Sequence, residues 1–316
     1  MKMQFEHISV LTKEVVDFAP ESTQTILDCT LGGGGHSRCL LENFPDAKLY
    51  GIDRDALAVK AAAERLKTYE KQTKLGQASF SELPEFFAEC GEPVFDYILA
   101  DIGLSSEQLV RAERGFSFLR EGPLDMRMDP DRQQITAAHL VNNSSEQELL
   151  KILRNFGEER FARKIVGKIL EFREKNPLKT TKELAQLVSS VIPRRLQKQG
   201  FNPATLTFQA LRIAVNDELQ ELEVLLKQIP SRLKKDGRVA LISFHSLEDR
   251  IVKHQFRKWE NPCVCPTDLP YCICGEKPRG RVLTRRPVNA TKKEVADNPR
   301  SRSAHLRVFA FEKTVL

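Results

Sequence analysis

Residues 26–37 read ILDCTLGGGGHS. A short apolar run leads directly into four consecutive glycines, and a helical pattern begins at His36. Glycine is found where the backbone turns sharply, or where a ligand approaches so closely that a Cβ atom would be in the way. The stretch therefore predicts a strand, a tight turn and a helix, with a cofactor bound at the turn.

An acidic residue follows the glycines at the distance expected for nucleoside binding. Asp53 ends the next strand pattern, and in doubly wound α/β folds an acid about 20 residues after the turn binds the two hydroxyl groups of an adenosine ribose. The simpler alternative is a glycine-rich turn followed by a surface acid. The order strand, glycines, helix, strand and acid favours the cofactor site.

The glycine pattern also bears on which adenosine ligand is bound. A dinucleotide fingerprint needs a third glycine where this chain has Ser37 or Arg38. Asp28, within the strand, would repel a pyrophosphate but can pair with an ammonium group. S-adenosylmethionine carries an ammonium and a sulfonium and no phosphate. The sequence therefore favours S-adenosylmethionine, and a nicotinamide-dependent oxidoreductase is the less favoured alternative.

Strand and helix patterns alternate around the glycines. The strand patterns cover residues 25–29, 49–53, 95–101, 239–244 and, as an edge strand, 305–311. The helical patterns among them cover residues 36–43, 55–71 and 82–89. Short buried strands that alternate with helices predict an α/β fold, in which helices cover both faces of a parallel, Rossmann-like sheet.

The strand signal disappears between Asp101 and Gly237. Amphipathic helical patterns replace it at residues 145–154, 158–175, 181–191 and 204–228, and Ser145 with Glu148 has the spacing of a capping box. An all-helical subdomain, residues 107–215, is therefore predicted as an insertion. Residues 1–106 and 216–316 would form one discontinuous α/β domain around it.

Composition and charge narrow the function classes. The chain has 316 residues, of which 41% are hydrophobic and 29% charged, with a net charge of +6. No apolar run approaches the roughly 18 residues that cross a bilayer, so a cytoplasmic protein without membrane attachment is expected. Residues 277–307 carry ten basic and two acidic side chains, and residues 154–198 carry twelve basic and five acidic side chains. Two basic segments on an otherwise nearly neutral chain favour binding to a nucleic acid. The simpler alternative is that these basic residues only form solvated surfaces.

The seven cysteines fall into two groups. Cys29, Cys39 and Cys90 lie in strand or helix patterns and are interpreted as small buried hydrophobic residues. The others form a C-x-C-x6-C-x-C run: Cys263, Cys265, Cys272 and Cys274. Four thiolates are a zinc ligand set, but the usual spacing is C-x2-C. A structural metal and a metal-free cysteine-rich loop both remain open, the loop being favoured, and no metal is assigned to the active site.

Longer motifs connect the chain to a known family. They read DIGLSSEQL (101–109), ERGFSF (113–118), GPLDMRMD (122–129), TFQALRIAVNDEL (207–219), ISFHSLEDR (242–250) and NPRSRSA (298–304). Together with the glycine stretch they make the sequence closely resemble the RsmH (MraW) family from about residue 7 to residue 307. Members of that family use S-adenosylmethionine to methylate the exocyclic N4 of a cytidine in the decoding region of small-subunit (16S) ribosomal RNA.

The resemblance implies a class I methyltransferase sheet and a set of cofactor contacts. These fall on Gly34, Gly35, His36, Asp53, Phe80, Asp101 and Gln108. The implied partner is small-subunit ribosomal RNA or the assembled small subunit, and the oligomeric state stays open, with a homodimer among the options. Residues 201–203 read FNP where relatives often have Gly-His-Pro, and Leu206 stands where a basic residue is common. These departures concern RNA contacts rather than the reaction.

The chemistry needs a group that accepts hydrogen bonds from the cytosine amino nitrogen, because its lone pair is delocalised into the ring. Many amino-methyltransferases use an acid, Ser or Asn before Pro-Pro-aromatic, whereas this chain has DIGL at 101–104. Asp101 is therefore the predicted catalytic acceptor, and His245 is the alternative proton acceptor. Asp101 serving the cofactor alone, His245 as a structural residue, and a non-catalytic RNA-binding or assembly factor are the competing interpretations.

Overall fold

The computed structural model describes residues 9–197, 202–266, 271 and 273–312. The chain divides into two compact units. The α/β unit comprises Met1–Gly103 and Gln220–Leu316, and the helical unit comprises Leu104–Leu219. The helical unit begins three residues before the predicted insertion and ends four residues after it.

Among the described residues, eight strands form one sheet in the α/β unit. They are β1 (Thr25–Asp28), β2 (Lys48–Asp53), β3 (Thr73–Gln77), β4 (Phe95–Ile102), β5 (Leu233–Ser243), β6 (Gly280–Val282), β7 (Val288–Asn289) and β8 (His305–Phe311). Their order is β3-β2-β1-β4-β5-β8-β6, and β7 also pairs with β8. Strands β1 to β5 pair in parallel, whereas β8 runs antiparallel to its neighbours.

The strand order reverses between β1 and β4. The chain moves from β1 outward to β2 and β3 and then returns to the other side of β1. At such a reversal the loops after the two strands leave in opposite directions, which opens a crevice at the carboxyl ends of the strands. The predicted Rossmann-like α/β class is confirmed, and the glycine turn (residues 32–35), which follows β1, lies at this crevice.

Side chains that alternate along the strands build two cores, one on each face of the sheet. Leu27, Ile98 and Leu241 belong to one core, and the neighbouring Ile26, Leu99 and Ile242 belong to the other. Successive residues of a strand point to opposite faces, so a continuous apolar run is required when both faces are covered. The runs seen in the sequence are apolar for this reason.

Helices on both faces complete the two cores. The first four are α1 (Thr12–Asp17), α2 (Gly35–Asn43), α3 (Ala56–Arg65) and α4 (Leu83–Glu89). Helix α3 begins after Asp55, whose carboxylate accepts a hydrogen bond from the backbone N–H of Leu57. Of the three cysteines predicted to be buried, Cys29 is buried, whereas Cys39, within α2, and Cys90, the C-cap of α4, are half-buried.

The helical unit has its own core. Its helices are α5 (Ser106–Val110), α6 (Ala137–Asn143), α7 (Glu146–Gly157), α8 (Ala162–Arg173), α9 (Thr181–Val191) and α10 (Thr205–Asn216). Apolar residues three or four positions apart, such as Leu149 and Leu153 on α7, face this core. The capping box predicted from Ser145 and Glu148 is confirmed, since each side chain bonds the other residue's backbone N–H.

The last three helices are α11 (Glu218–Arg232), α12 (Ser246–Glu260) and α13 (Lys292–Asp297). Two sequence predictions are wrong in this part of the chain. The single helix expected at 204–228 is broken at Asp217, whose φ of 50° is left-handed. The expected edge strand, β8, is an interior strand, because β6 and β7 pair with the side of β8 that faces away from β5.

Within the described ranges, no helix has the length and apolar character needed to span a membrane.

Candidate active site

The glycine turn joins β1 to α2 in a conformation that other residues disfavour. Gly34 has a φ of 75° and is the N-cap of α2, and a Cβ atom there would lie 3.2 Å from the Cα of Ala62. A Cβ on Gly35 would lie 2.0 Å from the Oγ of Ser9. Left-handed backbone at one position and close packing at the next explain why both must be glycine.

Asp53 connects the end of β2 to the glycine turn. Its Oδ2 accepts a hydrogen bond from the backbone N–H of Gly32 at 2.8 Å, and its Oδ1 accepts one from the N–H of Asp55 at 2.8 Å. Burial away from water raises the pKa of this carboxyl to about 6, although the two hydrogen bonds by themselves would lower it. The side chain is partly exposed, so its remaining lone pairs are accessible to a ligand.

Asp28 supports the turn from inside the fold. Its Oδ2 accepts a hydrogen bond from the Ser37 hydroxyl at 2.6 Å, and its Oδ1 accepts one from the N–H of Thr30 at 3.1 Å. Only 1% of the residue is exposed, and burial raises its pKa. This placement holds the turn together and does not favour the direct ammonium contact expected from the sequence.

Asp101 lies near the end of β4, beside Thr30, the second residue after β1. Its backbone N–H donates to the Thr30 hydroxyl at 2.6 Å. The side chain is 18% exposed, and its Oδ1 is buried with no hydrogen-bond partner among the described residues. Desolvation raises the pKa of Asp101 to about 6, although the nearby His36 opposes this. Asp101 thus lies at the crevice with one carboxylate oxygen that accepts no hydrogen bond from the part of the chain that the structure describes.

His36 is the second polar group beside Asp101. Its Nε2 lies 2.8 Å from the carbonyl oxygen of Val10. Because a carbonyl only accepts, Nε2 donates its proton to Val10 in this arrangement, and Nδ1 is the ring nitrogen that faces Asp101. Nδ1 lies 3.8 Å from Oδ2 of Asp101, too far for a direct hydrogen bond. The interaction between the imidazole and Asp101 is therefore electrostatic, and it lowers the pKa of the carboxyl.

Phe80 lies beyond the end of β3. Gln77 pairs with Asp53 across β3 and β2, so Phe80, three residues later, is on the carboxyl side of the sheet. It begins a short 3-10 helix, and its carbonyl accepts a hydrogen bond from the Gln228 side chain at 2.9 Å. The ring is half-buried against the core, which leaves part of it exposed for a flat apolar ligand.

His245 caps α12. Its Nδ1 accepts the backbone N–H of Glu248 at 3.5 Å, and its Nε2 lies 2.9 Å from Oε1 of Glu248. The pairing of Asp101 with Ile242 brings the ends of β4 and β5 to the same edge of the sheet, so His245 and Asp101 share that edge. The imidazole is 8% exposed. The sequence offered Glu248 or Asp249 as the partner of a structural His245, and the contact in the structure is with Glu248.

Gln108 belongs to the helical unit. Its side chain accepts the backbone N–H of Ser105 at 3.0 Å, and the Ser105 hydroxyl accepts the N–H of Gln108 at 3.2 Å. This capping box begins α5 and leaves Gln108 only 4% exposed. A cofactor contact by Gln108 stays a prediction.

Two residues that build this site were not predicted from the sequence. Thr30 links the ends of β1 and β4 through its hydroxyl, and Ser37 holds the buried Asp28. Both are hydroxyl residues next to a predicted turn, which is a weak signal because such residues are common there. Only the strand order shows that Thr30 faces β4.

The residues at the crevice fit S-adenosylmethionine in chemical type. Asp53 offers a partly exposed carboxylate, Phe80 a partly exposed ring, and Asp101 an acceptor oxygen without a partner among the described residues. The set suits a ligand that combines a ribose, an adenine and positive charge.

Comparison with known proteins identifies the family. The sequence profile of the MraW methylase family matches residues 4–312. The chain belongs to the MraW methylase family. Membership confirms the sequence-based expectation of an S-adenosylmethionine-dependent methyltransferase, and the alternative of a nicotinamide-dependent oxidoreductase is wrong.

Individual MraW relatives are similar over nearly their whole length. A protein of Trichlorobacter lovleyi named ribosomal RNA small subunit methyltransferase H is 50% identical over 306 residues, which cover 96% of this chain and 97% of the relative. A protein of Clostridium botulinum (strain 657 / Type Ba4) with the same name is 46% identical over 308 residues, which cover 97% of this chain and 99% of the relative. A protein of Pelobacter propionicus with the same name is 49% identical over 306 residues, which cover 96% of this chain and 97% of the relative.

A cation-rich cavity lies elsewhere in the α/β unit of this MraW protein. It has a volume of about 220 Å³, and its lining includes Lys253, Arg257 and Arg285, with Glu260 as the acidic member. Arg286, next in the chain, is exposed like Arg285. Of the ten basic residues counted in 277–307, Arg285 and Arg307 line this cavity.

Proposed function

We propose that this protein transfers a methyl group from S-adenosylmethionine to the exocyclic N4 of a cytidine in the decoding region of small-subunit (16S) ribosomal RNA. The names of relatives that are 46–50% identical support the substrate. The observation that carries the chemistry is the buried Oδ1 of Asp101, which lacks a hydrogen-bond partner among the described residues. Ribosomal RNA as substrate also implies a cytoplasmic site of action.

The donor would be held by residues of the glycine turn and of three neighbouring strand ends. Asp53 would accept hydrogen bonds from the ribose hydroxyl groups, and Phe80 would cover one face of the adenine. Gly34, Gly35 and His36 would line the turn, with Asp101 and Gln108 completing the set. S-adenosylmethionine supplies an electrophilic methyl group when bound.

Asp101 would act on the amino group that receives the methyl. Accepting a hydrogen bond from N4 draws the nitrogen toward tetrahedral geometry, and the carboxylate charge stabilises the positive charge that develops there. His36, 3.8 Å from Asp101, would influence how readily the carboxylate ionises. His245 is the alternative proton acceptor, although its ring is already engaged as the cap of α12.

The target cytidine must leave its base stack for N4 to reach the methyl group, as base-modifying enzymes generally require. Exposed basic residues of the helical unit would hold the RNA: Arg160, Arg163, Lys164, Lys168, Arg194 and Arg195. Lys198, expected to join them, lies outside the described residues. In the α/β unit, Arg285, Arg286, Arg300 and Arg302 are exposed and would contact phosphates.

Acid should inactivate the enzyme through two carboxyl groups. Asp53 and Asp101 both have a pKa raised to about 6, and both are needed as carboxylates. We therefore expect log kcat/KM for S-adenosylmethionine to be level above about pH 7 and to fall at lower pH with a limiting slope near two. In Asp101→Asn the slope should fall to about one. A wild-type profile that stays flat from pH 8 to pH 5 would contradict both assignments.

Charge reversal should reveal the phosphate contacts. The double variant Arg285→Glu/Arg286→Glu should bind RNA more weakly. It should also reduce the slope of log affinity against log salt concentration by about one to two, because binding releases fewer counterions when fewer phosphates are contacted. Affinity for S-adenosylmethionine should not change. Lys292→Glu/Lys293→Glu, with the same charge change at two exposed residues of α13, is the matched control. A salt slope in Arg285→Glu/Arg286→Glu that is unchanged from wild type would exclude Arg285 and Arg286 from the RNA site.

A transfer assay tests the proposed function directly. Purified protein and labelled S-adenosylmethionine would be incubated with naked small-subunit RNA and, separately, with assembled small subunits from cells that lack the protein. Mass mapping of nuclease fragments should find one methyl group on a cytidine N4, absent from the RNA of those cells. RNA binding without transfer to either substrate would instead support the non-catalytic assembly factor.

A further inference from the structure

A cluster of thiols lies in the α/β unit on the loop between α12 and β6. The Sγ atoms of Cys263, Cys265 and Cys274 all lie within 4.8 Å of one another. The Sγ atoms of Cys263 and Cys274 are 3.9 Å apart, far longer than the roughly 2.05 Å of a disulfide bond. The three thiols therefore converge on one point without that pair being bonded.

The separation of the sulfur atoms matches a tetrahedral metal site. Zinc binds thiolates at about 2.3 Å, which places two sulfurs of a tetrahedron about 3.8 Å apart. The 3.9 Å between Cys263 and Cys274 is close to this edge. In addition, the backbone N–H of Ile273 donates to the Sγ of Cys265 at 3.3 Å, and such a hydrogen bond stabilises the negative charge of a metal-bound thiolate.

The apolar residues beside these cysteines are exposed. Val264 and Ile273 are 74% and 76% exposed, although each is adjacent to a cysteine of the cluster. The apolar side chains thus point to solvent while the thiols point toward one another, which reverses the arrangement of a hydrophobic core. Small segments without a core of their own are commonly stabilised by a structural metal.

The base of the loop is already closed by the protein itself. The backbone N–H of Arg279 donates to the carbonyl of Trp259 at 2.9 Å, and the N–H of Val282 donates to Glu260 Oε1 at 2.9 Å. These bonds fix the two ends of the loop, and the cysteines lie between them. A metal at the thiols would hold the segment that leads into Arg279 and the basic residues after it.

We propose that Cys263, Cys265 and Cys274 bind a structural Zn²⁺ ion as thiolates. The three thiol protons pass to solvent as three zinc–sulfur bonds form, so no oxidant or reductant is involved. Soft sulfur ligands select zinc over magnesium or calcium. The fourth cysteine of the run, Cys272, lies outside the described residues. The site is separate from the crevice and does not depend on the proposed methyl transfer.

Metal analysis of the full-length protein tests the proposal. Protein produced in zinc-supplemented medium and passed through a weak chelator should hold about one zinc per chain by elemental mass spectrometry. Cys263→Ser and Cys274→Ser should each hold at least tenfold less. Cys90→Ser, which removes a half-buried cysteine outside the loop, should hold as much as wild type. Wild-type protein without zinc, or serine variants that keep it, would overturn the proposal.

Wild-type protein alone provides a second measurement if the serine variants fail to fold. Replacing zinc by Co²⁺ should produce the intense near-ultraviolet absorption of thiolate-to-cobalt charge transfer, together with visible bands of tetrahedral cobalt. Titration of accessible thiols should show the cluster protected until a strong chelator is added. Thiols that become reactive only after a reductant is added would identify a disulfide, which would also overturn the proposal.

Discussion

Asp101→Asn should lower the single-turnover rate of methyl transfer by roughly 10²–10³, the range typical for loss of one electrostatic contact made in the transition state. Asn is nearly isosteric with Asp, so the bond from the Asp101 backbone N–H to Thr30 should survive. The carboxylate charge is lost, however, at a point where Oδ1 is buried without a partner among the described residues. Affinity for S-adenosylmethionine should change by only ~1 kcal/mol, because a neutral hydrogen bond can remain.

The rate and the affinity must be measured on the same variant. If Asp101 only binds the donor, affinity falls and the rate at saturating donor recovers. A saturating rate within about threefold of wild type would therefore contradict the catalytic role. His245→Ala is the matched control at the same edge of the sheet. It removes the cap of α12 and should cost about 0.5–2 kcal/mol of stability, with a small effect on the saturating rate if its role is structural.

The sheet was predictable because its strands are buried on both faces. A strand such as β4 places Ile98 in one core and Leu99 in the other, so its sequence is apolar throughout and stands out. The final strand was predicted correctly in extent but not in position. Its alternation suggested an edge, yet β6 and β7 are only three and two residues long, too short to produce a strand pattern of their own.

Backbone details escaped prediction where one residue breaks a regular pattern. Residues 204–228 have a continuous apolar repeat, so nothing but the left-handed Asp217 separates α10 from α11. Asp is among the few residues with a short polar side chain that tolerates this conformation. Because Asp also occurs on ordinary exposed helix faces, its presence in the sequence did not mark a break.

The candidate site was predictable as a list of residues rather than as a set of contacts. The glycine turn and Asp53 follow from spacing, but the hydrogen bond from Gly32 N–H to Asp53 depends on the parallel pairing of β1 and β2. The position of Thr30 beside Asp101 likewise depends on the return of the chain to β4. Contacts across neighbouring strands are set by the topology, which local patterns do not contain.

Asp53→Ala should weaken binding of S-adenosylmethionine by roughly 2–4 kcal/mol, which corresponds to about 30- to 1000-fold in Kd, because two hydrogen bonds to a charged acceptor are lost and water replaces them only in part. The same change also frees the N–H groups of Gly32 and Asp55, so part of the loss would come from a looser turn. Asp55→Ala separates the two effects. It removes the cap of α3 directly after the end of β2, where Asp53 binds the backbone N–H of Asp55, but it leaves the proposed ribose acceptor in place. Calorimetry should therefore show a several-fold loss for Asp55→Ala and a much larger one for Asp53→Ala, and equal losses would assign Asp53 to the turn rather than to the ribose.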